Sequence, residues 1–91
     1  MTVWPEGWRN VSGPESIELA QQLRREMSSS HILHDAQFMV IARRDDQDDV
    51  LLELADGRLA ELHMTWAASN DPKLPGALLF DDLEDWLAVQ V

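Results

Sequence analysis

The chain contains no cysteine. Disulfide staples, thiolate zinc centres and cysteine nucleophiles are therefore excluded together. A chain of 91 residues without such staples must rest on packing alone, and that suits a reducing compartment. Long hydrophobic runs are also missing. Phe38 to Ala42 and Val50 to Leu54 are strand-sized, and Glu53 interrupts the second, so no membrane span is expected. Met1 to Arg9 lacks a basic region followed by an apolar stretch, which argues against a signal peptide and for a cytoplasmic location. Basic residues are scarce: 7 Lys and Arg stand against 17 Asp and Glu, for a formal charge of -10. Such a surface repels phosphate, so nucleic acid and anionic membranes are excluded as partners. The same charge serves solubility, and it also suits a basic protein partner. No nucleophile elbow, phosphate loop or kinase-type motif occurs, so an enzyme is not expected and no cofactor is implied.

What remains is an ordinary globular composition, 45% hydrophobic, of a length that fits one domain over residues 1–91. Residues 1–12 hold Trp4, Pro5, Gly7 and Trp8 without a period and read as an irregular arm whose tryptophans pack on the domain or on a partner. Ser12-Gly13-Pro14-Glu15 is a helix start, with Pro14 suited to the first turn. Ile17, Ala20, Leu23 and Met27 then recur at helical spacing, with Leu19 widening the stripe. Acidic residues lead this helix and Arg24 and Arg25 close it, as the macrodipole favours.

Three strands are expected next, over Phe38 to Ala42, Val50 to Ala55 and Arg58 to Trp66. Arg43 to Asp49 reads as a polar turn, and Asp56-Gly57 as a tight two-residue hairpin turn. Ala67 to Leu79 reads as a loop, because Asn70-Asp71-Pro72 and Pro75-Gly76 break any period. Asp81 and Glu84 form a capping box for a short final helix that buries Leu83, Trp86 and Leu87. The expected fold is thus α+β: an N-terminal helix, a three-stranded antiparallel meander and a short C-terminal helix, in the order α-β-β-β-α.

Alternation places Phe38, Val40, Ala42, Val50, Leu52, Leu54, Leu62, Met64 and Trp66 on one face, under the long helix. Trp66 is expected to pack under Trp86 and Phe80 rather than to anchor a partner. The other face carries Met39, Ile41 and Leu51 beside Arg43, Glu53, Glu61 and His63. It is too apolar for plain solvent surface, so the arm, the final helix or another chain should cover it.

From His34 onward the residues Asp48-Asp49-Val50-Leu51-Leu52-Glu53-Leu54, Asp56-Gly57, His63-Met64-Thr65-Trp66, Pro75-Gly76, Phe80 and Leu83-Glu84-Asp85-Trp86 form a pattern. It resembles that of a set of small bacterial proteins of uncharacterised function. The resemblance implies the same element order and brings no catalytic residues.

Four readings of chemistry are open at this level. His31, His34 and His63 with Asp35 invite a metal, but i, i+3 spacing outside a helix does not converge, and a solvated loop is the simpler account. Asp45-Asp46-Gln47-Asp48-Asp49 offers oxygen ligands without the glycine and glutamate of a calcium loop. Glu61, His63 and Thr65 share a face because a strand alternates, so their proximity is no sign of catalysis. The remaining reading is a binding protein, with Trp4, Trp8, Asp45, Asp46, Asp48, Glu53, Glu61 and His63 as the partner-facing residues. It implies a protein partner of basic charge, as for a small inhibitor or immunity protein that neutralises a basic toxin. A homodimeric structural or regulatory module is the alternative. Only Arg43 and Arg44 adjoin the acidic turn in sequence, so neutralising Asp45, Asp46 and Asp48 is expected to leave stability unchanged or slightly raised.

Overall fold

The computed structural model describes residues 4–90. The chain runs β1 (Trp8–Asn10), α1 (Gly13–Glu26), β2 (Phe38–Arg44), β3 (Asp49–Leu54), β4 (Leu59–His63), β5 (Ala77–Phe80) and α2 (Leu83–Ala88). All five strands form one antiparallel sheet in the order β1-β2-β3-β4-β5. The fold is α+β, but the expected three-stranded meander is corrected to five strands. Both additions are edges. β1 lies in the supposed arm, whose first three residues fall outside the described residues, and β5 lies at the end of the supposed loop. Each is too short to show a period, and each owes its shape to pairing with a longer neighbour.

Helix α1 covers one face. Ser12 stands at its N-cap in extended conformation without a side-chain hydrogen bond, and Pro14 occupies the first turn. The buried stripe is Leu19, Leu23 and Glu26, followed by Met27, whereas Ile17 is 60% exposed. The stripe is rotated one residue from the expected one, so Ser16 begins it, and the Ser16 hydroxyl donates to the Val40 carbonyl at 2.7 Å. Leu19, Leu23 and Met27 pack on Val40, Val50, Leu52, Leu54, Leu62 and Met64. The alternation of the central strands therefore places this face as expected.

A β-bulge changes the rest of β2. Val40 pairs with Leu52, but Ala42 pairs with Leu51, so Ile41 is the extra residue. Beyond the bulge the alternation inverts. Ala42 joins Trp8, Leu51, Leu59 and Trp86 on the second face. Arg43 turns to the α1 side, opposite Val50.

The second face is covered by α2 and by the tryptophans of the N-terminal segment. Trp86 is fully buried. Trp4 and Trp8 meet it edge-on, at 5.9 Å and 5.0 Å between ring centroids. Each such pair contributes about 0.5–1.5 kcal/mol beyond its area burial. The cap of α2 is one residue later than expected: Asp82, not Asp81, accepts the Asp85 N–H at 2.9 Å. The β3–β4 hairpin is also corrected. Leu54 N–H donates to the Arg58 carbonyl and Gly57 N–H to the Leu54 carbonyl, so the loop is three residues. Within it Gly57 has φ of 92°, the left-handed position of such a loop, while Asp56 does not. No helix among the described residues is long and apolar enough to cross a membrane.

Candidate functional site

The acidic turn between β2 and β3 is an ion-pair network rather than an uncompensated cluster. Arg9 on β1 stands opposite Arg43 in the sheet and reaches across to Asp45, Nε to Oδ2 at 2.6 Å. Its other nitrogens grip both oxygens of Glu15 on α1, Nη1 to Oε1 at 2.7 Å. Arg43 Nε lies 3.2 Å from Asp45 Oδ1 but is not aligned for a hydrogen bond, and its Nη2 is 3.5 Å from Asp48. Arg44 holds Asp46 at 3.1 Å. The hydrogen bonds from Arg9 lower the Glu15 and Asp45 carboxyls below their ordinary range, and those two carboxylates raise the Arg9 guanidinium above its own. The premise that only Arg43 and Arg44 compensate this turn is corrected: a third arginine, 36 residues away from Asp45, completes it.

The other partner-facing candidates separate. Trp8 is 8% exposed and Trp4 half-buried, both against Trp86, so they line the core of the second face. Glu61 accepts the Trp86 indole N–H at 2.8 Å. Glu53 is exposed beside Met39, its partner across the ladder, which is 59% exposed. His63 is exposed and donates from Nδ1 to Asp49 Oδ1 at 2.8 Å. The three histidines do not converge. His31 is buried, with Nε2–H on the Pro75 carbonyl at 2.8 Å and Nδ1 accepting the Leu33 N–H at 3.0 Å. That second bond fixes the tautomer. The His34 ring lies 3.8 Å from Asp35. Among the described residues no group of three or more His, Asp or Glu is placed to hold a metal ion.

Two features escaped the sequence reading. The first is Glu26, a fully buried carboxylate at the end of α1. Its Oε1 accepts both the N–H and the hydroxyl of Thr65, at 2.7 and 2.8 Å, and Oε2 accepts from Gln22 at 3.1 Å. This contact lies just beyond the end of β4, where the chain leaves the sheet. Trp66 follows at φ of 61° and is 48% exposed, so the expectation that it packs under Trp86 and Phe80 is corrected. It lies instead over Arg43, 5.5 Å from guanidinium carbon to ring centroid. No local pattern signals this, because simple alternation continues through Trp66.

The second feature is the β5 end of the sheet. Leu78 is 62% exposed and Leu79 39% exposed. Asp81, Asp82, Glu84 and Asp85 follow at once, all exposed. None of the four makes an ion pair among the described residues. Arg58, next to Leu59 where that residue meets Phe80, is held by Asp56 at 2.8 Å. Exposed leucines beside unpaired acids are what a complementary protein surface requires: apolar area to bury and a charge pattern to orient it.

No family model matches this chain, and neither a curated protein nor a solved structure matches it.

Proposed function

We propose that this protein is a non-enzymatic binding domain that captures a basic protein partner at the β5 end of its sheet. It would act in the cytoplasm as a small acidic inhibitor, of the kind that neutralises a basic toxin. One observation carries the reading: the acids Asp81, Asp82, Glu84 and Asp85, which make no ion pair among the described residues, adjoin the exposed Leu78 and Leu79. The aspartates of the β2–β3 turn support it less, since Arg9, Arg43 and Arg44 already engage Asp45, Asp46 and Asp48. Capture from a lysate of the source cells tests it, using the parent and a variant with Asp81→Asn, Glu84→Gln and Asp85→Asn. Asp82 stays in place because it caps α2. A basic protein retained by the parent, released by salt and lost with the variant is the expected result. Identical proteins on both, or no basic protein on either, refute the reading. The rival is a homodimeric module joined through the same edge. A solution mass of two chains that the charge variant leaves unchanged would favour it.

A further inference from the structure

Strand β5 is an edge of the sheet, pairing with β4 alone among the described residues. The ladder says which of its backbone groups are open. His63 N–H donates to the Gly76 carbonyl, so the positions bonded to β4 alternate as Gly76, Leu78 and Phe80. The N–H and C=O groups of Ala77 and Leu79 therefore point away from β4. The far side of the sheet is managed differently. Where β1 does not reach β2, the Ser16 hydroxyl takes the Val40 carbonyl, and Arg24 takes the Ala36 carbonyl at 2.9 Å. Among the described residues β5 has no such guard. Ala77-Leu78-Leu79-Phe80 is a short strand, but it contains no charge, no proline and no register shift, which are among the devices that block pairing at an edge.

We infer that β5 accepts an extended basic segment of a partner protein as a sixth strand of the sheet. The inference rests on the binding reading above and gives it a mode: strand addition. The open groups of Ala77 and Leu79 supply the main-chain bonds. On the α1 face the incoming side chains meet Leu79 and Ile32, which line one shallow cleft; Ile32 is 70% exposed. On the other face they meet Leu78. Lysine or arginine residues at the end that passes Phe80 reach Asp81, Asp82, Glu84 and Asp85. A second copy of this chain would meet the same leucines but would bring its own acidic stretch and a charge of -10, so charge complementarity selects a basic occupant.

The probe is a capped synthetic peptide of alternating Val and Thr flanked by Lys at both ends. Its control is the same peptide with alternate backbone nitrogens methylated, which keeps charge and apolar side chains but blocks strand pairing. Both are titrated into the isotopically labelled full chain and followed by amide NMR and hydrogen exchange. The expected result is slowed exchange at Ala77 and Leu79, shifts confined to β5 and Asp81 to Asp85, and at least about tenfold weaker binding of the methylated peptide. Equal binding of the two peptides at the acidic stretch refutes strand addition while leaving capture of a basic partner intact. No shift at β5 or the acidic stretch with either peptide refutes both. Protection of Ala77 and Leu79 in the protein alone, at a concentration where it sediments as a dimer, assigns the edge to a second copy and also overturns the inference.

Discussion

Removing the Glu26 carboxylate should unfasten the end of α1 from the end of β4. The side chain is fully buried and accepts three hydrogen bonds, two of them from Thr65. Hydrogen bonds to a charged group contribute about 1.5–3 kcal/mol each, but burying the carboxylate costs several kcal/mol in lost hydration. The difference, together with the cavity left behind, places Glu26→Ala at about 2–4 kcal/mol of lost stability. Glu26→Gln should cost about 1 kcal/mol, because one amide oxygen can still accept both Thr65 donors while the charge assistance is lost. In a domain of this size about 1 kcal/mol moves the melting midpoint by about 4–8 °C. The order of melting temperatures should therefore be parent, then Glu26→Gln, then Glu26→Ala. Thermal unfolding by circular dichroism reads the midpoints, and amide exchange at Thr65 reads the local release. Glu26→Leu controls for packing, since it refills the volume without the acceptor and should still leave Thr65 exchanging quickly. A Glu26→Ala variant that melts within about 2 °C of the parent, with Thr65 exchange unchanged, would refute the reasoning.

The carboxylates of Glu15 and Asp45 titrate below their unfolded range because Arg9 bonds them. Their stabilisation is present above the ordinary carboxylate range and is lost as pH falls through their lowered folded values, so Arg9→Gln should flatten the acid limb of a melting-temperature series over pH. Gly57→Val places a β-branched residue at φ of 92° and should cost about 1 kcal/mol or more; an unchanged midpoint would contradict the left-handed loop position. Trp86→Phe removes the indole donor to Glu61 and edge contacts with Trp4 and Trp8, so the midpoint should drop by about 8 °C or more, checked by calorimetry. Zinc or calcium in modest excess should leave the parent midpoint in place, since a ligand that bound only the folded chain would have to raise it.

Local pattern carried the middle of this molecule. The long amphipathic helix, the strands around Val40, Leu52 and Leu62, and a glycine turn between β3 and β4 were legible, because burying one face of a helix or strand imposes its own period. That pattern also placed a half-apolar second face beside Leu51 and named the arm and the final helix among its possible covers; in the structure Trp4, Trp8 and Trp86 lie there. Of the candidate binding residues, it grouped Asp45, Asp46 and Asp48 but could not see Arg9 beside them.

The tertiary structure alone decided the rest. β1 and β5 are three and four residues long, and their pairing comes from β2 and β4 rather than from their own sequence. The bulge at Ile41 inverts Ala42 and Arg43, and no residue type announces it. Trp66 lies outside the sheet, beside a contact between Thr65 and a carboxylate 39 residues away, and the ladder ends at His63, three residues before the Trp66 that alternation reads as core. Periodicity reports how a segment meets a single neighbour, whereas edges, bulges and buried polar contacts depend on segments distant in the chain.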